Sequence, residues 1–363
     1  MFNYHLWVDS DADLPFVSIC TPTFNRRPWI LLLIECIRRQ TYPLNRIEWI
    51  IADDGTDSIE DLIKNVEIPA CKYFRHKKMS LGEKRNFLHS KCTGQIIVNM
   101  DDDDYYPSER VEHAVSVLTN GTMTLAKTKD RSLNRPMIAG SSEMYMYSHK
   151  HKSMYKCGPY GKNHCTAATM AFNKDLLSII DSGYNSADQF AEEVVFLKQV
   201  QSKNIPVVQL NPLTAILVFA HDHNSCNKED MIDNGKSTKT SLVKSESINF
   251  QSFIEDSILR QKYIDLFETL CVYTDGEIHH KPELVAQIEN MKKNRLEREI
   301  EFKKKNFIAK IERGEIPIKM LDDFLTQHSS SYVTNILESK NKLIDKLLLK
   351  VKILTKELED TKI

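Results

Sequence analysis

The chain has 363 residues, of which 41% are hydrophobic and 27% charged, a composition typical of a globular protein with about two domains. Its 49 lysines and arginines balance 50 aspartates and glutamates, and the net charge of -1 argues against nucleic acid or a membrane surface as the main partner. No apolar stretch approaches the ~20 residues of a membrane span and no signal peptide is recognisable. Eight cysteines without a CxxC pair are typical of free thiols, so we expect a cytoplasmic protein.

The first part of the chain alternates between strand and helix patterns. Short apolar runs predict four strands, at residues 16–20, 47–52, 72–74 and 95–100. Two helices are predicted between them, at 29–40 and 80–91. Such alternation is typical of a Rossmann-like α/β fold, with a mostly parallel sheet flanked by helices.

Four consecutive aspartates, Asp101 to Asp104, follow the fourth predicted strand. Like charges side by side are tolerated either by a bound cation or in a solvated loop. In open α/β sheets, ligands bind beyond the carboxyl ends of the strands, and oxygen ligands suit Mg²⁺ or Mn²⁺ together with substrate phosphates. This position favours a metal site, while a solvated acidic loop remains the alternative.

The other predicted strands also end in polar segments. Residues 21–26 close the first strand, 53–56 close the second, and 83–86 lie on the helix before the fourth. Because parallel strands end at one edge of a sheet, these segments are expected to meet the aspartates there. Together they offer acceptors for a base and ribose, a cation for phosphate, and a metal site, which predicts a nucleotide-diphosphate pocket.

The segments SICTPTFNR, IEWIIADDGT and GEKRNFLHSKCTGQIIVNMDDDDYYPSER resemble family 2 glycosyltransferases of the GT-A fold, over roughly residues 15–225. The resemblance implies a metal-dependent, inverting enzyme that uses a nucleotide-diphosphate sugar, most commonly a UDP-sugar. It assigns the nucleoside contacts to Pro22, Thr23, Phe24 and Asp54. It also places an arginine-asparagine pair of the donor site at Arg85 and Asn86.

The resemblance also implies a divalent ion, Mn²⁺ or Mg²⁺, at the Asp-x-Asp motif. That motif maps to Asp101 and Asp103, with Asp103 as the direct ligand and Asp101 or Asp102 as a contact to the ribose. A late histidine of the family corresponds to His221 or His223, and His221 fits the spacing better. Imidazole is an acceptable ligand beside carboxylates, although loop histidines are usually only solvated.

An acidic pair, Glu192-Glu193, corresponds to the family's pair at the start of an acceptor-side helix. Its second member is the catalytic base, so the resemblance implies that role for Glu193, although glutamate replaces the commoner aspartate. The sequence predicts this helix from Ser186 onward, and a helix N-terminus favours an ionised carboxylate. The alternative is an exposed surface pair.

We predict a glycosyltransferase domain at 1–227, a linker at 228–247, a helical region at 248–330 and a C-terminal helix at 331–363. That last helix carries a heptad pattern at Leu337, Ile344, Val351 and Leu358. The pattern is typical of a parallel coiled coil and predicts a homodimer, with a single helix packed on its own domain as the alternative.

Two other functions compete with the glycosyltransferase hypothesis. A nucleotidyltransferase shares the α/β layout and the metal carboxylates, but usually has a glycine-rich signature where this chain has Thr21 to Asn25. A non-catalytic sugar-binding or scaffold protein would be expected to have lost the aspartates and Glu193. The sequence identifies neither the sugar nor the acceptor, which is a glycan, a protein or a lipid.

Overall fold

The computed structural model describes residues 13–270, except 65, 121–135, 190, 222, 223, 225–227 and 234–241, and beyond 285 only scattered positions and short runs between 286 and 315. The chain divides into one unit that ends at Gln287 and a second that begins at Ile288. The elements below all belong to the first unit. Within the described ranges, no helix is both long and apolar enough to cross a membrane.

A seven-stranded sheet forms the centre of the first unit. Its strands are β1 (Val17–Thr23), β2 (Ile47–Asp53), β3 (Cys71–Arg75), β4 (Ile96–Asn99), β5 (Ile138–Gly140), β8 (Ala171–Asn173) and β9 (Val207–Gln209). They lie in the order β3-β2-β1-β4-β8-β5-β9. Only β8 runs antiparallel to its neighbours, β4 and β5, so the sheet is mostly parallel, as the sequence predicts.

A second sheet contains four strands, in the order β10-β6-β7-β11. They are β6 (Met144–Ser148), β7 (Ser153–Cys157), β10 (Leu217–Ala220) and β11 (Leu242–Lys244). An isolated bridge between Tyr105 and Leu217 connects β10 to the segment just after the four aspartates. The second sheet is thereby held next to the end of β4.

Helices surround both sheets. The longer ones are α1 (Arg27–Arg38), α3 (Leu81–Lys91), α4 (Arg110–Asn120), α6 (Glu193–Ser202) and α10 (Ser257–Leu270). The shorter ones are α2 (Glu60–Ile63), α5 (Leu176–Ile179), α7 (Pro212–Ala215), α8 (Lys228–Asp233) and α9 (Phe250–Phe253). Short 3₁₀ turns occur at Leu44–Arg46 and Ala167–Thr169.

The main sheet is buried on both faces. In β1, Ile19 packs into one core together with α1 and α4, while the next residue, Cys20, packs into the other core with α3 and α6. Successive side chains of a strand point to opposite faces, so a central strand covered on both sides is apolar throughout. The α/β architecture with helices on both faces is confirmed.

The helix predicted from Ser186 begins only at Glu193. The carbonyl groups of the preceding segment are engaged elsewhere, because Ser186 O accepts from Ser80 Oγ and Asp188 O accepts from the backbone N–H of Gly82 at 2.9 Å. A Cβ on Gly82 would lie 2.0 Å from a carbonyl oxygen of this segment, so glycine permits the close approach. The segment thus closes over the first turn of α3 instead of forming a helical turn of its own.

The predicted boundary at residue 227 is also wrong. Residues 228–247, predicted as a linker, contribute α8 and β11, and β11 pairs with β7 in the second sheet. Tyr263 of α10 is buried against Phe219 of β10 in the same core. A lysine-rich and glutamate-rich composition hid the apolar face that binds α10 to the domain. The heptad residues at 337–358 lie outside the described residues, so the coiled coil stays a prediction.

Candidate functional site

Three parallel strands bring the predicted site segments together. In the sheet register, Thr23 of β1 lies beside Asp53 of β2, and Cys20 lies beside Asn99 of β4. The carboxyl ends of these strands therefore meet at one edge of the sheet, with the four aspartates following β4. This is the edge where α/β sheets bind ligands.

The four aspartates alternate in burial along the chain. Asp101 and Asp103 are partly exposed, whereas Asp102 and Asp104 are buried. Asp102 lies 3.8 Å from Arg26 Nε, and Asp104 accepts from the backbone N–H of Phe219 at 3.3 Å. Burial raises the pKa of Asp102 to about 7, although Arg26 opposes the shift, and burial also raises the pKa of Asp104. Both buried carboxyls are thus in contact with neighbouring groups of the protein.

Asp101 belongs to an ionic triad around the buried Arg85. Arg85 Nη2 lies 3.0 Å from Asp101 Oδ1, and Arg85 Nε lies 2.5 Å from Glu192 Oε1. Burial alone would lower the pKa of Arg85, but Asp101 and Glu192 hold it well above the usual value. The guanidinium therefore stays charged and joins α3 to the loop after β4 and to the residue before α6.

Asp103 faces His221. His221 Nε2 lies 3.4 Å from Asp103 Oδ2, and the amide nitrogen of Asn224 is 3.3 Å from the same oxygen. Burial opposes ionisation of Asp103, but His221 and the positive charges of Lys228 and Arg26 hold its pKa well below the usual range. Burial lowers the pKa of His221 to about 4, so the imidazole is neutral at pH 7.

The described residues contain no group of three His, Cys, Asp or Glu side chains arranged to bind a metal ion. The three predicted metal ligands do not lie together, because Asp101 pairs with Arg85 whereas Asp103 and His221 are neighbours. An ionised carboxylate beside a neutral imidazole is still a suitable donor pair, since Mg²⁺-type sites use one or two carboxylates and take other ligands from phosphates and water. Asp103 and His221 therefore fit a divalent ion. His223 lies outside the described residues.

The residues predicted to contact the nucleoside lie at the ends of β1 and β2. Pro22 and Thr23 are the last two residues of β1 and both are buried; Phe24 is partly buried. Asp54 is buried, pairs with Lys84 Nζ and accepts from the backbone N–H of Met79 at 2.8 Å. Burial lowers the pKa of Lys84 although Asp54 opposes the shift. Asp54 is thus oriented by α3.

Asn86 is engaged by the protein backbone. Its amide nitrogen donates to Tyr184 O at 2.7 Å, and its amide oxygen accepts from Tyr184 N at 2.9 Å. Both ends of the side chain therefore hold the segment that leads to the acidic pair. These bonds use one of the two amide N–H groups and one of the two oxygen lone pairs, so they leave the amide able to contact a donor nucleotide.

Glu193 is the first residue of α6 and is partly buried. Its place at a helix N-terminus is as expected, but the expected effect on ionisation is reversed. Burial and the neighbouring charge of Glu192 raise the pKa of Glu193 to about 7, and together they outweigh the opposing effect of Arg85. A carboxyl with a pKa near the working pH suits a general base.

Several of these residues line one cavity of about 440 Å³. Its polar lining includes Arg85, Asp101, Asp103, Glu192 and Glu193. Pro22, Thr23, Phe24, Asp54 and Asn86 do not line it. The cavity therefore does not include the residues predicted to contact the nucleoside.

The sequence analysis missed four functional candidates. Arg26 and Lys228 supply positive charge near Asp103, Asn224 is bonded to Asp103 and His221, and Lys84 holds Asp54. Arg26 and Lys84 stand inside quoted motifs, so their charge next to the acidic residues was an available signal. Asn224 and Lys228 lie far along the chain, and nothing local marks them.

Comparisons with known proteins give a family match for part of the chain. Residues 18–180 match the family model for glycosyl transferase family 2. A chondroitin synthase of Escherichia coli is 25% identical over 128 residues, which cover 34% of this chain and 18% of that protein. A GalNAc(5)-diNAcBac-PP-undecaprenol beta-1,3-glucosyltransferase of Campylobacter jejuni is 30% identical over 97 residues, covering 25% of this chain and 30% of that protein. The chain thus spans less than a third of either relative.

Solved structures show a more distant likeness. The mannosyltransferase PcManGT of Pyrobaculum calidifontis, in complex with GDP-Man and Mn²⁺, is 14% identical with a TM-score of 0.46, over 76% of this chain and 75% of that one. TarS 1–349 of S. aureus, in complex with UDP-GlcNAc, is 16% identical with a TM-score of 0.43, over 56% and 58%. Likeness at this level transfers no residue roles. The match at residues 18–180 shows that this region of the chain is similar to glycosyl transferase family 2.

Proposed function

We propose that the chain is an inverting glycosyltransferase that moves a sugar from a nucleotide-diphosphate sugar, in the first instance a UDP-sugar, to an acceptor hydroxyl. One observation carries the proposal. Glu193, a carboxyl with its pKa raised to about 7, lines the same cavity as Arg85, Asp101 and Asp103, at the strand edge of a domain similar to glycosyl transferase family 2. A base, a cation and metal-type carboxylates are thereby assembled around one space.

The donor would lie across the ends of β1, β2 and β4. The nucleoside is assigned to Pro22, Thr23, Phe24 and Asp54, and the diphosphate to the region of Arg85. This assignment is supported by Arg85 Nη1, a buried nitrogen that has no hydrogen-bond partner within the described part of the chain. A phosphate oxygen would satisfy that donor, and buried donors are rarely left unpaired.

In the proposed reaction, Glu193 accepts the proton of the acceptor hydroxyl as that oxygen attacks the anomeric carbon. The new carbon–oxygen bond forms as the bond to the diphosphate breaks, and the anomeric centre inverts. Arg85 stabilises the negative charge that grows on the leaving diphosphate. Asp103 and His221 would hold Mn²⁺ or Mg²⁺, which supplies Lewis-acid stabilisation of the same oxygens when bound.

The test is a panel of nucleotide sugars with Mn²⁺ or Mg²⁺, measured by thermal shift and by release of the nucleoside diphosphate. One donor is expected to raise the Tm and to be turned over. Glu193→Gln should keep the thermal shift and lose transfer, while Glu67→Gln, at a side chain that is 91% exposed, should keep both. The proposal fails if no donor binds, or if Asp103→Asn retains full activity.

A further inference from the structure

The second sheet presents two chemically different faces. Tyr147 and Phe219 point to one side and pack against α9 and α10. Met144, Met146, Cys157 and Val218 point to the other side, because Met144 pairs with Cys157 and Met146 with Val218 in register. All four line the cavity that contains Glu193. The sheet therefore forms one wall of the candidate active site.

This wall is apolar and rich in sulfur. Met231 of α8 adds a third methionine to the cavity lining. Methionine is flexible and polarisable, and it adapts to apolar groups of different shape. Most charged side chains of the cavity come from other elements: Arg85 from α3, Asp103 from the loop after β4 and Glu193 from α6, although Lys228 of α8 also lines it. The cavity thus combines carboxylates and cations with an apolar surface of a separate sheet.

A free sugar would not match a cavity that combines charged side chains with an apolar wall. The hydroxyls of a hexose need hydrogen-bond partners when they are buried, and the side chains of Met144, Met146 and Val218 offer none of useful strength. The charged lining can serve the sugar that is transferred. A volume of about 440 Å³ lies in the range of sites that bury a ligand larger than one small group. The remaining space therefore suits an apolar group next to the attacking hydroxyl.

Rings from the loop after β7 also reach the cavity. Tyr160 and His164 both line it, with ring centroids 5.6 Å apart. Burial lowers the pKa of His164, so its imidazole is uncharged at neutral pH. Uncharged rings can pack against an apolar group as well as against the face of a sugar.

We propose that the apolar wall formed by Met144, Met146, Cys157, Val218 and Met231 binds the acceptor, and that the acceptor carries an alkyl or aryl group beside its attacking hydroxyl. The inference rests on the proposed glycosyltransferase function, since it takes Glu193 as the base. It adds the acceptor's chemical class, an amphipathic molecule in place of a free sugar or a wholly polar glycan.

Matched acceptor sets test this inference, each with the methyl, octyl and p-nitrophenyl glycosides of one sugar. Calorimetry with the protein saturated with UDP and Mn²⁺ should give at least about tenfold tighter binding of the octyl or p-nitrophenyl member than of the methyl member. The octyl and p-nitrophenyl arms separate an alkyl from an aryl requirement. Equal binding of all three members in every set overturns the inference. Failure to turn over any nucleotide sugar counts instead against the proposed function.

Two variants on α8 distinguish an effect on the apolar wall from an effect on the stability of the protein. Met231 and Ile232 are both partly buried, but only Met231 lines the cavity. Met231→Gln should reduce the preference for the octyl or p-nitrophenyl glycoside over the methyl glycoside by about fivefold or more. Ile232→Gln should leave the preference as it is. An unchanged preference in Met231→Gln, in a variant with normal UDP binding, contradicts the proposal.

Discussion

Arg85 Nε donates to Glu192 Oε1 over 2.5 Å, and this bond gives the two residues of the acidic pair, Glu192 and Glu193, different environments. Both line the cavity, but Glu192 is buried and neutralised by the guanidinium, whereas its neighbour Glu193 remains partly exposed. The same guanidinium also pairs with Asp101. Arg85 thus fixes the start of α6 relative to the aspartates, which sets the position of the proposed base relative to the donor.

Removing Glu192 should destabilise the fold. Glu192→Ala leaves Arg85 buried with one carboxylate in place of two, and we expect a loss of about 3–5 kcal/mol in the free energy of unfolding. Glu192→Gln keeps an acceptor for Nε and should lose only about 1–2 kcal/mol. Urea unfolding measures both, and Glu67→Ala, at an exposed side chain, is the control. Equal stability of Glu192→Ala and the control would contradict the ion-pair account.

The strand ends were predictable because the signal is local. The apolar runs before Thr21, Asp53 and Asp101 each encode a buried strand, and parallel strands bring their ends together without further information. The partners of these ends were not predictable. Arg85 meets Glu192 across 107 positions of sequence, and no local pattern in either segment specifies that contact.

The rate of transfer should rise with pH through about 7. Burial and Glu192 raise the pKa of Glu193 to about 7, so the carboxyl is protonated below that pH and cannot accept a proton. The rate should fall about tenfold for each pH unit below the midpoint. Glu192→Gln removes a neighbouring negative charge and should move the midpoint to lower pH. A profile that is flat between about pH 5.5 and pH 8 would exclude Glu193 as the titrating base.

Glu193→Gln should stabilise the protein at alkaline pH. A carboxyl whose pKa is raised in the folded state binds its proton more tightly there than in the unfolded chain, so ionisation costs stability as pH rises from about 4.5 to about 7. At about pH 8 the variant should be more stable by about 1–3 kcal/mol, and below about pH 4 the difference should vanish. Thermal unfolding at about pH 4 and about pH 8 measures this, and a variant that gains no stability relative to the unchanged protein between the two would contradict the raised pKa.

The buried pair of Lys84 and Asp54 should show strong coupling. Their side chains are 2% and 0% exposed, so removing one partner leaves the other charged and buried. Lys84→Met should cost about 3–5 kcal/mol of stability and weaken UDP binding, because Asp54 loses its orientation. The double variant Lys84→Met/Asp54→Asn should recover part of the stability loss. Urea unfolding of all members of the double-mutant cycle measures the coupling free energy between Lys84 and Asp54. Stability losses that are strictly additive would exclude such coupling.

The error in the domain boundary predicted at residue 227 has the same cause, because a local sequence pattern does not show which distant segments a residue contacts in the fold. Residues 228–247 have a polar composition, yet Lys228 reaches the backbone carbonyl of Phe219 and β11 completes the second sheet. An edge strand such as β11 needs few apolar residues, since much of its surface faces solvent. Composition alone therefore predicted a linker at residues 228–247. The structure has α8 there, and that helix contributes Met231 to the cavity.

Divalent ion binding should depend on Asp103 and His221. With UDP present, Asp103→Asn and His221→Ala should each weaken Mn²⁺ binding by at least about tenfold, because each removes one of two adjacent donors. Electron paramagnetic resonance of free Mn²⁺ measures the affinity without relying on turnover. Asp102→Asn should have a smaller effect, since that carboxyl is buried beside Arg26, and the exposed Asp175→Asn should have none. If Asp103→Asn bound Mn²⁺ as tightly as the unchanged protein, the metal assignment at this pair would be excluded.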